Sequence, residues 1–262
     1  MVGGRSPIRT KYKVGFNKTG KITALKVDVL IEGGWHQDIS PLLIGQIETT
    51  IKKYNVGNFD ATFTIFKTNN IPKVAVRAPG DLQGSVIADT VQDHVAAFLG
   101  MSGNKIREEN LHNHESITLL FGEHTVGDAN AFTLKSIWNQ LKARTKLIER
   151  EKEVDRFNLQ NRWLKRGVAM VTSVYGCFNG SRRATVGIFQ DGSIVAEVEG
   201  VEMGQGLHTK VRQMIAYSLS PLCTKVSPSK NFITKVADIS IKLTLNCTNI
   251  PRRDSPSRMF GN

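Results

Sequence analysis

Residues 200–209 read GVEMGQGLHT, and the fold is read outward from them. An alternating run, Ile194 to Val198, ends just before this stretch. Behind it Leu207, Val211, Met214, Ile215 and Leu219 recur with a helical period. The stretch is therefore a strand-to-helix loop, with the helix expected over Gly206 to Leu219. Gly204 and Gly206 allow the backbone to approach a ligand with no Cβ in the way. The first turn of the helix leaves N–H groups unpaired at the end of the helix dipole that attracts anions. Gln205 can donate and accept at once, which suits a polar ligand atom. The pattern is neither GxxxxGK[ST] nor GxGxxG. Loop chemistry alone thus leaves two readings, a phosphate-bearing ligand or a glycine-rich connection with none.

Ahead of the loop, Ala184 to Phe189 and Ile194 to Val198 flank Asp191-Gly192, a strong hairpin turn signal. Val168 to Tyr175 is expected as another strand. Leu134 to Phe157 is expected as one long amphipathic helix with Ile137, Leu141 and Ile148 on its apolar face. Residues 112–131 look irregular and polar. Nearer the N-terminus, residues 11–33 alternate on either side of a Thr19-Gly20 turn, with Tyr12, Val14 and Phe16 on one face. A helix is expected over residues 40–54 from Ile44, Ile47, Ile51 and Tyr54, and a strand over Asp60 to Lys67. After Arg77-Ala-Pro-Gly80 comes a helix from Gln83 to Leu99 with Gly100 as its C-cap. A short helix over Ser102 to Asn110 follows, with Ser102 as N-cap. Hairpins mixed with helices and returning strands indicate an α+β fold rather than a doubly wound sheet. The character of the chain changes near residue 155 and again at 220. Beyond 220 the Ser/Pro/Lys-rich stretches SPLCTKVSPSKN and IPRRDSPSRMFGN read as a poorly structured tail, with Ala237 to Leu245 able to pair as a strand.

Composition narrows the function classes. The 262 residues are 40% hydrophobic and 22% charged, which suits a globular protein with substantial cores. No apolar run reaches membrane-helix length, and the basic N-terminus has no apolar segment behind it. Cys177, Cys223 and Cys247 are far apart and form no CxxC pair, as expected for reduced thiols in a cytoplasmic protein. Lys and Arg number 35 against 23 Asp and Glu, a formal net charge of +12. The charge is spread in small clusters such as Lys52-Lys53, so a solvated basic surface is favoured over a nucleic-acid groove.

Several segments, in order, resemble the xanthine dehydrogenase/aldehyde oxidase family of molybdenum hydroxylases. GVEMGQGLHTK (200–210) resembles the loop of the family's second molybdopterin-binding domain. KEVDRFNLQNRWLKRG (152–167) resembles the segment preceding that domain, and FQDGSIVAEVEG (189–200) the strand pair before the loop. GGRSPIRTKYKVGFNKTGKITAL (3–25) is similar to a hairpin of the first molybdopterin-binding region. KTNNIPKVAVRAPGDLQGSVIADT (67–90) resembles the plant aldehyde oxidase form of a second cofactor-contacting loop. The resemblance runs from residue 2 to residue 219.

The resemblance implies two incomplete molybdopterin-binding domains, part of the first over 1–155 and the start of the second over 156–219, with 220–262 divergent. It implies a fragment of a molybdenum-cofactor-dependent aldehyde oxidase, oxidising aldehydes to carboxylic acids by hydroxylation. Arg77 falls on the arginine beside the molybdenum centre, near the metal but not ligating it, where its guanidinium would place positive charge. Pro79 falls where purine-oxidising members carry a ring-stacking phenylalanine, which favours aldehydes over purines. Gln83 falls on a glutamine with a structural role. Met203, Gly204, Gln205 and Gly206 fall on cofactor-binding positions, and His208 on a packing or capping position in the helix.

The family's general base is a glutamate in a GxGEPP-type motif, which this sequence lacks, so no catalytic residue is assigned. Glu197, Glu199 and Glu202 are carboxylates outside that motif. The glycine-phenylalanine loop over the metal is not found either. FAD and 2Fe–2S clusters belong to the full-length family, yet no binding segments for them are recognised here. The expectation is a truncated chain, inactive alone, that could form a homodimer or pair with a full-length subunit. A non-enzymatic partner-binding remnant and a basic nucleic-acid binder are the competing readings.

Overall fold

The computed structural model describes residues 3–121, 126–175, 183–191, 193–219, 233–235 and 243–244. The chain divides into two compact units, Met1–Gly176 and Cys177–Asn262.

The first unit opens with a hairpin, β1 (Ile8–Phe16) and β2 (Ile22–Gly34), paired antiparallel with Tyr12 opposite Val27. Its turn is held by the Asn17 side chain, whose Oδ1 accepts from the amides of Thr19 and Lys21 at 2.9 and 3.0 Å. Helix α1 (Ser40–Ile51) then leads to β3 (Asn58–Lys67), which runs parallel to β2 with Ala61 opposite Val27. The sheet order is β1-β2-β3. Alternation along β2 buries Leu25, Val27, Val29 and Ile31 and leaves Lys26 and Asp28 in solvent. The helices cover the apolar face of the sheet. This gives the α+β architecture expected from the sequence, with both strand senses in one sheet.

Helix α2 (Asp81–Leu99) ends at Gly100, in the left-handed region at φ 66°. Helix α3 (Gly103–Glu109) starts from Ser102, whose hydroxyl accepts from the Asn104 amide. Leu43, Ile47 and Ile51 of α1 meet Ile87, Val91 and Val95 of α2 in the core. Each such buried side chain contributes about 1.5–3 kcal/mol. The two helices come very close at Gly84, where a Cβ would stand 2.6 Å from the Ile47 carbonyl oxygen. Asp89 of α2 ties the segment just after α1 to α3. It accepts from Lys53 Nζ at 2.7 Å, Tyr54 OH at 2.9 Å and Arg107 Nε at 3.3 Å. Fully buried Asn110 fastens the hairpin turn to α3. Its Oδ1 accepts from the Ile22 amide, and its Nδ2 donates to the carbonyls of Gly20 and Ile106, each at 2.9 Å.

Three expectations in this unit are corrected. Residues 112–131 are not wholly irregular, because α4 (His114–Phe121) and a 3-10 turn (Ala129–Ala131) form there. Asn113 supplies the start signal by accepting from the Ser116 amide at 2.8 Å, and no α4 residue is fully buried. The single helix over Leu134 to Phe157 is two, α5 (Leu134–Arg144) and α6 (Leu147–Gln160), divided at Lys146 with φ 50°. The break buries Trp138 and Leu147, while Ile137, Leu141 and Ile148, expected on the core face, are exposed. Val168 to Tyr175 alternates in burial as a strand would, yet it lies in no strand. Its backbone pairs with side chains: Met170 N with Asn104 Oδ1 at 2.8 Å and Val168 O with Asn104 Nδ2 at 3.2 Å. This stretch packs onto the first unit, so the contact division falls at 176 where the sequence suggests a change near 155.

In the second unit β4 (Ala184–Ile188) pairs antiparallel with β5 (Ser193–Val198), as the Asp191-Gly192 signal predicts. Asp191 Oδ1 accepts from the Ser193 amide and hydroxyl. Helix α7 (Leu207–Leu219) follows the loop. Ile215 is buried on its inner side, but Met214, expected on the same stripe, is exposed. Two short strands, β6 (Ile233–Lys235) and β7 (Leu243–Thr244), add to β5, parallel and antiparallel respectively. They are the described part of the expected tail; the rest of 220–262 and all three cysteines lie outside the described residues.

Candidate functional site

The loop between β5 and α7 closes on itself through its own side chains. Glu202 Oε1 accepts from the amides of Gly204 at 2.8 Å and Gly206 at 3.0 Å. The Gly204 amide, with help from those of Gly206, Leu207 and His208, holds this carboxyl below the usual glutamate range. Gln205 Oε1 accepts from the Met203 amide, and its Nε2 donates to the Val201 carbonyl, both at 2.6 Å. Gly204 and Gly206 have φ of 105° and 72°, where side chains are disfavoured, and a Cβ on either would meet no atom of the described residues within 4 Å. No described residue therefore crowds the glycine edge of the loop. Gly200 is different: its Cβ position is 3.0 Å from Leu207 Cδ2, so it serves packing against the helix.

The second candidate loop, Arg77 to Gln83, is anchored from the lead-in to β1. Arg5 donates from Nη2 to the Arg77 carbonyl at 2.7 Å and from Nη1 to the Ala78 carbonyl at 3.1 Å. Buried Gln83 accepts from the Gly80 amide at 3.1 Å and donates to the Ser6 carbonyl at 3.3 Å. Ala78 sits at φ 53°, uncommon for a residue with a side chain. Gly80 has φ 81° and no room for a Cβ, with the Leu43 carbonyl oxygen 2.8 Å away. Its backbone bonds thus define the course of the loop, while the Arg77 side chain is exposed and makes no ion pair among the described residues.

The sequence-predicted residues therefore fall on two loops. Arg77, half-buried Pro79 and Gln83 share the one in the first unit. Met203, Gly204, Gln205 and Gly206 share the one in the second. Met203 is exposed and Gln205 half-buried. His208 Nδ1 is buried without a hydrogen-bond partner among the described residues. Glu199 accepts from the Arg183 amide at 3.3 Å, and Glu197 is exposed on β5. No group of three or more His, Cys, Asp or Glu side chains suited to a metal occurs among the described residues. No helix among them is long and apolar enough to cross a membrane.

Two residues escaped sequence reasoning. Arg5 has no local signal, since its partners lie 72 and 73 positions away. Glu202 has one, a carboxylate just ahead of a helix, which is a position that favours acidic capping.

Comparison with known proteins follows the same two-loop division. Residues 1–111, which contain the Arg77 loop, match a family model described as a molybdopterin cofactor-binding domain. Residues 140–242, which contain the Gln205 loop, match a second model of the same description. Indole-3-acetaldehyde oxidase of Zea mays is 43% identical over 223 residues, 85% of this chain and 16% of that protein. Abscisic-aldehyde oxidase of Arabidopsis thaliana is 41% identical over 219 residues, 84% of this chain and again 16% of the relative. The chain thus spans only a small part of the length of these relatives. Among solved structures, the aldehyde oxidoreductase of Desulfovibrio desulfuricans shares the fold with a TM-score of 0.70 at 21% identity, over 90% of this chain and 25% of that one. The two matched models and their plant relatives agree: the chain belongs to the molybdopterin-binding domains of the xanthine dehydrogenase/aldehyde oxidase family.

Proposed function

We propose that this chain forms part of the molybdenum-cofactor cradle of a plant-type aldehyde oxidase. In this reading 1–155 is part of the first molybdopterin-binding domain and 156–219 the start of the second. Met203, Gly204, Gln205 and Gly206 would contact the cofactor, and Arg77 would place its charge beside the metal without ligating it. Pro79 would line the substrate pocket and offers no aromatic platform for a purine ring. The bound cofactor would supply the oxidation of an aldehyde to a carboxylic acid. The residues of this chain bind and orient.

The observation that carries the reading is the open glycine edge at Gly204 and Gly206, in a domain whose family description is cofactor binding. No described residue would meet a Cβ there, so beyond their positive φ the glycines leave the backbone approachable by a ligand. The exposed guanidinium of Arg77, in no ion pair among the described residues and on a firmly anchored loop, is consistent with a charge kept available for a ligand.

The 262 residues hold no GxGEPP motif. In this reading these 262 residues bind without turning over by themselves, a homodimer of them would still lack the base, and pairing with a full-length subunit in the cytoplasm would supply it. The deciding experiment is metal analysis and pterin fluorescence on the full chain purified from a host that makes the cofactor. Molybdenum and pterin should co-purify, and Gly206→Val should abolish both. Wild-type chain free of both would overturn the proposal, as would aldehyde oxidation by the chain alone for the inactivity claim.

A further inference from the structure

The β5–α7 loop was expected to offer its amides to a phosphate. The hydrogen bonds assign those amides to other partners. The N–H groups of Gly204 and Gly206 point to Glu202 Oε1, and that of Met203 to Gln205 Oε1. An anion arriving at the start of α7 would have to expel a carboxylate tethered two residues from its first donor. Such a tethered competitor has a high effective concentration.

We propose that Glu202 is the resident anion of this loop and the positioning residue for Gln205, so that the loop engages its ligand through uncharged hydrogen-bonding groups and not by capturing a phosphate. This deepens the cofactor reading above and rests on it. With the three amides satisfied, Gln205 is the loop side chain that can both donate to and accept from a ligand. A carboxamide has two N–H donors and two acceptor lone pairs, and the loop uses one of each. One N–H donor and one acceptor lone pair of the carboxamide remain after these two bonds, enough to meet an acceptor and a donor of an uncharged polar ligand such as a pterin ring. Glu202 keeps that pair in place indirectly. By fixing Gly204 and Gly206 on either side of Gln205, it sets the backbone from which the carboxamide reaches back to Val201 and Met203.

The test is an NMR titration of the isotopically labelled full chain with inorganic phosphate, for the wild type, Glu202→Ala and Glu202→Gln. In the wild type the Gly204 and Gly206 amide signals should not respond. In Glu202→Ala they should shift and saturate with phosphate, and the Gln205 side-chain NH2 signals should move even without it. Glu202→Gln keeps an acceptor oxygen of the same reach without the charge. It should retain the Gln205 positions while the two glycine amides exchange faster, and it serves if the alanine variant does not fold. Saturable phosphate shifts at Gly204 and Gly206 in the wild type would overturn the proposal, as would Gln205 signals unmoved in Glu202→Ala. Lack of pterin and molybdenum in the purified chain would defeat the cofactor reading while leaving the Glu202 cap intact, so the two failures are distinguishable.

Discussion

The guanidinium of Arg5 donates to the backbone carbonyl of Arg77 at 2.7 Å and so joins the start of the chain to a loop 72 residues later. Its second bond, to Ala78, holds a residue whose φ of 53° is unfavourable for any side chain. Arg5→Ala should therefore cost about 1–2 kcal/mol and speed hydrogen exchange at the Leu82 amide, which bonds the Ala78 carbonyl. Ala78→Gly should stabilise the unit by roughly 0.5–1 kcal/mol, since relief of the left-handed strain exceeds the added chain entropy. Chemical denaturation of both variants checks the two signs.

Asp89 and Asp93 both accept from Arg107, yet they should respond very differently to mutation. Asp89 also neutralises Lys53, and both cationic side chains are almost wholly buried. Asp89→Ala leaves them without that carboxylate and should cost about 3–5 kcal/mol. Asp93 pairs with Arg107 at 2.6 Å, but its own side chain is 56% exposed. Asp93→Ala should cost no more than about 1 kcal/mol. Equal losses in urea melts would contradict this ordering.

Gly84→Ala sets helix propensity against packing. Alanine is better than glycine in a helix by about 1 kcal/mol. Its methyl would lie 2.6 Å from the Ile47 carbonyl oxygen and 2.9 Å from Thr50 Cβ, so α1 and α2 must separate. Overpacking of this kind costs about 1–3 kcal/mol, and here the obstruction includes main chain. Net destabilisation of roughly 1 kcal/mol is expected, with a lower thermal midpoint as the readout. A gain in stability would show that the helices can part freely.

His112 gives the first unit a pH dependence. Burial, followed by the nearby positive charge of Lys21, lowers its pKa from the ordinary 6.5, against the opposing effect of its bond to the Lys52 carbonyl. The unfolded chain takes up the proton first as pH falls. The contribution of this residue is thus fully present above pH 6.5 and is lost as pH drops through the lower folded value. Stability measured across that window should decline toward acid, and His112→Gln should flatten the slope attributable to this site.

Much of this architecture was legible where period and punctuation agree. The hairpin around Thr19-Gly20, the caps at Gly100 and Ser102 and the strand pair around Asp191 follow from local signals and are found in place. The break at Lys146 was not legible, because no Gly or Pro marks it and the apolar period runs on through Ile148. Val168 to Tyr175 has the alternation of a strand, but alternation reports only that one face is buried. Asn104 and Tyr54 supply the partners that a neighbouring strand would otherwise provide. In the candidate site, the glycines and Gln205 stood out through backbone chemistry and family likeness. Arg5 did not, because its role exists only once distant segments have met.

Asn110 makes the β1–β2 hairpin and the helical layer mutually dependent. Its carboxamide completes the hairpin turn from the end of α3, and its carbonyl accepts from the Asn55 amide beyond α1. The turn has its own local bonds from Asn17, and α3 closes its own last turn, but the bonds from Asn110 to the Ile22 amide and the Gly20 carbonyl exist only once segments about ninety positions apart have met. A nascent chain that has emerged only as far as β3 therefore lacks this clasp, which arrives with the end of α3.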